Sequence, residues 1–336
     1  MPNQKVEFDD TFQMMEIFGT CDANVKLIEK ALSVQIISNQ NTVEVRGEEE
    51  SAARALRALE TLKQMREAGT KLNDSAVVQA LELAQDGHVE EAIGAMKDVI
   101  TVNHRGQPVK CRTLGQKKYI EAIRKNTVTI CIGPAGTGKT FLAVAVAVNA
   151  LREKLIDRII VSRPAIEAGE KLGFLPGDLQ QKVDPYLRPL YDSFHSLIGT
   201  EKTQQYLEKG VIEIAPIAYM RGRTLDNAMV LVDEGQNASL ETLKMVLTRF
   251  GENSKVVLTG DITQIDLPRE QSSGLARCAK ILSGIDGIEV IHLTNRDVVR
   301  HRLVKDIVKA FEKYDEPKQE TEKYRSPSPD RKNKKR

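Results

Sequence analysis

Gly133-Pro134-Ala135-Gly136-Thr137-Gly138-Lys139-Thr140 follows the apolar run Val128 to Ile132 and precedes the apolar stretch Phe141 to Ala150. The eight residues fit G-x-x-x-x-G-K-[ST] at every fixed position, in the strand, loop and helix order that a phosphate cradle (Walker A) requires. Gly133, Gly136 and Gly138 let the backbone curl, so that successive N–H groups point at phosphate oxygens with no Cβ in the way. The helix that follows turns its positive end toward the anion. The stretch therefore predicts a nucleoside triphosphate site, with Pro134, Ala135 and Thr137 completing the cradle. Lys139 is placed to reach the β- and γ-phosphates, and Thr140 to offer its hydroxyl to Mg2+. A plain Gly-rich turn between strand and helix does not account for the Lys-Thr pair.

A hydrolytic core also needs carboxylates, and the apolar run Ala228 to Val232 ends in Asp233-Glu234. Asp233 suits the metal's water shell, and Glu234 suits the orienting or deprotonation of an attacking water. An apolar run before Asp-Glu says little alone; behind a complete phosphate loop it says much more. A third run, Lys255 to Leu258, ends in Thr259-Gly260-Asp261 and continues as Ile262-Thr263-Gln264. Gln264 is a candidate γ-phosphate sensor, the alternative being a Gly-Asp turn with a surface Gln. Upstream, Gln116 opens a helical stretch, and its amide can donate to and accept from an adenine edge. An ordinary Gln at a helix start is the competing reading.

The 336 residues suffice for a sizeable core and two domains. Hydrophobic content of 41% with 29% charged residues is that of a globular chain, and a net charge of +2 gives no global electrostatic case for nucleic acid. No apolar stretch approaches about twenty residues, and the start carries acids rather than a basic leader, which predicts a cytoplasmic protein without a membrane partner. Cys21, Cys111, Cys131 and Cys278 lie far apart, as do the five histidines, so neither a disulfide framework nor a ligand cluster is indicated.

Residues 1–102 read as a small α+β module with bridging helices. Thr11 to Phe18 is expected as a strand, Asn24 to Leu32 as a helix, Val34 to Ser38 and Thr42 to Arg46 as a hairpin, and Glu48 to Ala68 as a long helix. That order is similar to a KH-like RNA-binding fold, although Gly19-Thr20-Cys21-Asp22 puts an acid where the G-x-x-G grip has its second Gly. RNA binding and partner docking both stay open for this module. Two helical patterns fill Ser75 to Val102, and 103–115 is expected as a linker. From 116 to 314, six apolar runs alternate with helical stretches, which predicts an α/β domain with a mostly parallel sheet. Residues 315–336 are charged and Pro-bearing, and are expected as a disordered basic tail.

Several segments together resemble the PhoH family of ATPases, over about residues 10 to 315. They are Ser162-Arg163-Pro164 with Gly169 to Asp178, Tyr219 to Thr224, Asp233-Glu234-Gly235-Gln236-Asn237, Thr259-Gly260-Asp261 with Thr263 to Pro268, and Asp297-Val298-Val299-Arg300-His301. Gly235 departs from the usual Ala, a small-for-small change. The resemblance implies a P-loop core related to superfamily-one helicases, ATP and Mg2+ as cofactors, and hydrolysis using Lys139, Thr140, Asp233, Glu234 and Gln264. It further implies a role in RNA metabolism, association with an endoribonuclease or ribosomal partner, links to phosphate-starvation regulons, and a homo-oligomer that can be ring-shaped. The first hundred residues are similar to the branch without a nuclease domain, so no intrinsic cleavage is expected. Charge neutralisation at the γ-phosphate needs an arginine finger. Arg300 is the first candidate, with Arg163, Arg221 and Arg223 competing.

Overall fold

The computed structural model describes residues 5–86, 89–164, 179–267 and 273–299, together with 303, 304 and 307. Strand β1 (Lys5–Glu7) leads into Asp10, whose carboxylate accepts the Gln13 N–H at 2.6 Å and starts a helix, α1 (Thr11–Phe18). Gln13 answers by accepting the Asp9 N–H at 3.0 Å, so the two ends of the first turn fix each other. Thr11 to Phe18 is therefore not the strand its sequence suggested. Met14, Ile17 and Phe18 are buried at helical spacing, whereas Phe12 and Met15 are exposed.

Helix α2 (Ala23–Leu32) follows, then the antiparallel pair β2 (Gln35–Asn39) and β3 (Thr42–Arg46), turning where the sequence predicts. With β1 they form a three-stranded sheet ordered β1-β3-β2. Helices α3 (Glu49–Glu67), α4 (Asp74–Asp86) and α5 (Val89–Lys97) complete this α/β region, whose core includes Ile17, Ile28, Leu59, Leu62 and Met65. The helical pattern expected up to Val102 stops at Lys97. Val99–Val102 is a strand, β4, and it pairs antiparallel with β5 (Pro108–Lys110), so the stretch expected as a linker is partly a hairpin arm. Ile100 and Cys111 pack into the main core from this hairpin.

The remaining elements alternate. They are α6 (Leu114–Lys125), β6 (Val128–Ile132), α7 (Lys139–Arg152), β7 (Arg158–Arg163), α8 (Leu179–Ile198), α9 (Thr200–Glu208), β8 (Ile212–Pro216), β9 (Ala228–Val232), α10 (Leu240–Leu247), β10 (Lys255–Gly260), α11 (Leu275–Leu282) and β11 (Ile288–His292). The six strands form one sheet ordered β11-β6-β10-β9-β7-β8, and every neighbouring pair is parallel. Parallel strands are covered on both faces, which is why β6 and β9 are buried along their whole length and apolar apart from Thr129. One face packs on α6 to α9 through residues such as Ile159, Val161 and Leu231; the other packs on α10 and α11 through Ile130, Ile160 and Leu258. All carboxyl ends point the same way, and in open α/β sheets that end holds the ligand. Strand β10 lies between β6 and β9, so the loop and the acid pair are two strand spacings apart, about 10 Å. Among the described residues no helix is long and apolar enough to cross a membrane.

Candidate nucleotide site

The loop after β6 is shaped by its glycines in two different ways. Gly136 and Gly138 sit at φ +83° and +80°, where a Cβ is strained. Gly133 is needed for space instead: a Cβ there would lie 2.7 Å from the Leu293 Cβ and 2.8 Å from the Leu293 carbonyl. Thr137 ties the loop to itself by donating to the Pro134 carbonyl at 2.9 Å. The Lys139 ammonium donates to the carbonyls of Gly133 at 2.6 Å and Pro134 at 2.9 Å, which holds it folded over the cradle. Burial lowers its pKa, and the nearby carboxylates of Asp261, Glu234 and Asp233 oppose that fall.

Thr140, on the first turn of α7, donates its hydroxyl to Asp233 Oδ1 at 2.5 Å. The same oxygen accepts from the Thr259 hydroxyl on β10 at 2.8 Å, so a buried Asp233 ties the carboxyl ends of β9 and β10 to the first turn of α7. Loop and acid pair therefore meet. The oxygen donors of Thr140 and Asp233 are of the kind Mg2+ takes, alongside phosphate oxygens. Glu234 adopts left-handed backbone at φ +53°, a conformation that costs a non-glycine residue about 1 kcal/mol. Its two carboxylate oxygens accept from Gln236 Nε2 at 2.6 Å and from the Arg163 guanidinium at 3.3 Å. Arg163 also stands 3.9 Å from Asp233 Oδ2, so this finger candidate faces both acids.

Two residues quoted in motifs but given no role turn out to organise the site. Gln236 is buried; its Oε1 accepts the Asp261 N–H at 3.0 Å, and its Nε2 reaches the Gln264 carbonyl at 3.0 Å as well as Glu234. Asp261 is buried too, and its Oδ2 accepts the Ala135 N–H of the phosphate loop at 3.0 Å, while Oδ1 accepts the N–H and hydroxyl of Thr263. A Cβ on Gly260 would come 2.6 Å from Gln236 Oε1, so the small residue keeps room for that amide. Buried polar side chains with full sets of partners were the signal available, and it becomes visible only once the strands are placed. Gln264 itself is exposed and joins this network through its backbone.

On the other flank, Gln116 is buried. Its Nε2 donates to the Thr137 carbonyl at 3.0 Å and its Oε1 accepts the Arg112 N–H at 2.7 Å, so the amide braces the loop. Tyr119 adds a bond from its hydroxyl to the Lys139 carbonyl at 3.2 Å. Asp297 accepts from the Thr113 hydroxyl at 2.6 Å, and two residues later the Val299 N–H donates to the Gly136 carbonyl at 3.0 Å. Arg300, Gly169 to Asp178 and the tail from 315 lie outside the described residues. Arg223 forms a two-pronged ion pair with Glu213 of β8, which lowers the carboxyl's pKa; Arg221 is exposed.

A family model described as PhoH-like protein matches residues 108–312, which include this whole network. The chain belongs to the PhoH-like family. A PhoH-like protein of Bacillus subtilis is 47% identical over 311 residues, covering 93% of this chain and 97% of the relative. One from Synechocystis sp. is 47% identical over 295 residues, covering 88% and 90%. Protein PhoH of Escherichia coli is 42% identical over 231 residues, covering 68% of this chain and 64% of that protein. Among solved structures, a Sulfolobus solfataricus SWI2/SNF2 ATPase core in complex with dsDNA aligns with 53% of this chain and 43% of its own, at 15% identity and a TM-score of 0.32. Family and site geometry together make this a P-loop nucleotide-binding fold.

Proposed function

We propose that this PhoH-like protein binds ATP with Mg2+, hydrolyses it, and does so in RNA metabolism. The observation that carries the reading is the 2.5 Å bond from Thr140 to Asp233, which brings the phosphate loop and the acid pair into one site. Thr140 and Asp233 would hold Mg2+, which would supply positive charge against the phosphate oxygens. Lys139 adds a positive charge on the same oxygens. Glu234, kept in place by Gln236 and Arg163, accepts the proton of the attacking water. Gln264, on the segment bonded to Gln236, senses the γ-phosphate. Arg300 supplies the finger; in a homo-oligomer it can reach the site of a neighbouring subunit. Gln116 holds the loop edge beside the adenine.

The RNA part is supported by the N-terminal region. Gly19 and Asp22 flank the turn from α1 to α2, and Asp22 takes left-handed backbone, φ +58°, where a G-x-x-G loop would have glycine. The turn thus has an acid at the position of the second glycine. The Asp22 carboxylate favours a second reading, a nucleotide-gated adaptor that recruits an endoribonuclease or ribosomal partner without unwinding. The family resemblance supports a cytoplasmic location for either role.

The test is ATP turnover with and without single-stranded RNA, with mass determination, for wild type, Lys139→Ala and Arg300→Ala. Lys139→Ala should lose turnover, and Arg300→Ala should keep nucleotide binding and lose turnover. RNA stimulation supports the first reading. An unchanged rate, with partner capture in ATP but not ADP, replaces it with the adaptor.

A further inference from the structure

A cavity of about 470 Å3 lies beside the phosphate loop, and no sequence motif pointed to it. One wall carries Phe141, the residue directly after Thr140 on α7, and Val299, whose N–H is bonded to the Gly136 carbonyl. The opposite wall comes from the N-terminal region, through Ala76 and Gln79 of α4 and Met96 of α5. Arg112 lies between them. The volume falls within the range of small-ligand pockets, about 300–1,000 Å3. The lining combines one aromatic ring, several apolar side chains and a few amides with the basic Lys71, Lys110 and Arg112; the ring and the amides offer a nucleobase a stacking face and a donor–acceptor edge.

The same residues are wired to the loop. Gln79 Nε2 donates to the Arg112 carbonyl, the Arg112 N–H donates to Gln116 Oε1 at 2.7 Å, and Gln116 Nε2 donates to the Thr137 carbonyl at 3.0 Å. Helix α4 is thus connected to the phosphate loop through a single intervening residue and one buried amide. A group seated in the cavity would touch this chain at Gln79 and Arg112, and the flank of the loop through Phe141 and Val299.

We infer that this cavity receives the base and ribose of the bound nucleotide, with Phe141 as the stacking face and Gln79 of the N-terminal region reading a base edge. The inference rests on the nucleotide reading of the loop and extends it. The phosphates are held by residues 133–140, while the base is held in part by the first hundred residues. Nucleotide occupancy is then felt by the N-terminal region directly, without a conformational change having to cross the sheet.

The experiment compares ATP with inorganic tripolyphosphate, both with Mg2+, by calorimetric titration of the full chain. The two ligands share the phosphate contacts and differ in the base. Phe141→Leu keeps apolar bulk and removes the ring; it should weaken ATP by about 5- to 100-fold, the span of base–aromatic stacking, and leave tripolyphosphate unchanged. Gln79→Ala should weaken ATP several-fold with the same selectivity. A melting curve matching wild type establishes that each variant is folded. Equal weakening of both ligands by Phe141→Leu would mean that the ring merely supports the loop, and unchanged ATP affinity in both variants would place the base elsewhere; either result overturns the inference. Wild type that binds tripolyphosphate only through Lys139 but gains nothing from the base also overturns it, while leaving the phosphate site standing. Wild type that binds neither ligand removes the nucleotide reading itself and the inference with it.

Discussion

Replacing Asp261 with Asn should loosen the phosphate loop and leave the fold intact. The carboxylate is only 4% exposed, and its two oxygens serve different partners: Oδ2 accepts the Ala135 N–H at 3.0 Å, and Oδ1 accepts the Thr263 N–H at 2.9 Å and hydroxyl at 2.6 Å. An amide of the same shape keeps one acceptor. If its oxygen stays with Thr263, the Ala135 N–H faces another donor. A hydrogen bond to a charged group contributes about 1.5–3 kcal/mol, and an unpaired buried donor costs about 1–3 kcal/mol. A loss of about 2 kcal/mol, shared between stability and nucleotide affinity, corresponds to at most about 30-fold in Kd. The assay is calorimetric ATP titration across pH together with a melting curve. The pH series adds an independent sign. Asp261 is one of the carboxylates that hold the Lys139 pKa up against burial, so its neutralisation lets that pKa fall further below 10.5. The cationic lysine binds phosphate, so affinity is lost as pH rises through its pKa. The alkaline loss of affinity should therefore move to lower pH in the variant. An Asp261→Asn protein with wild-type affinity, melting temperature and alkaline profile would show that the contact with Ala135 does not organise the loop.

Gly260→Ala should lower the melting temperature, because its Cβ would lie 2.4 Å from a Leu275 methyl and 2.6 Å from Gln236 Oε1; overpacking of this kind costs about 1–3 kcal/mol. Unchanged melting would mean that Gln236 has room to retreat. Thiol labelling of the native chain at neutral pH should modify Cys21 rapidly, since it is exposed, and the other three only after denaturation. Burial raises the pKa of Cys111 to about 11 and raises those of Cys131 and Cys278, so a second fast thiol would contradict the packing. Glu213, held below its ordinary 4.5 by Arg223, stabilises the fold above that pH and loses its contribution as pH falls through its lowered value. Acid melting curves of Glu213→Gln should accordingly fall less steeply below about pH 4.5 than those of wild type, and equal slopes would remove the pair from the stability of β8.

The four inner strands of the main sheet were legible because a parallel sheet buries both faces, so each is a near-continuous apolar run, while the edge strands β8 and β11 keep enough Ile and Val around one Glu to be read as strands. Their order was not. Strand order is a matter of pairing between distant segments, and only the placement of β10 between β6 and β9 shows why Thr259 and Asp261 belong to the phosphate site. The misread helix α1 fails for a local reason: Phe12, Met14 and Phe18 fit an alternating strand, and the reciprocal bonds of Asp9, Asp10 and Gln13 outweigh that pattern.

The parts of the site that could not be read share one property: each has a backbone group among its partners. Asp261 bonds to the N–H of Ala135, Gln116 to the carbonyl of Thr137, and Gln236 to the N–H of Asp261 and the carbonyl of Gln264. A backbone group carries no residue signature, so these contacts leave no spacing rule in the chain. They have a consequence for mechanism. Glu234 holds a left-handed backbone while Gln236 grips its carboxylate, Gln236 grips Asp261, and Asp261 grips the loop. The catalytic carboxylate proposed at Glu234 and the phosphate cradle are thus linked through two buried side chains, Gln236 and Asp261, rather than through the strands.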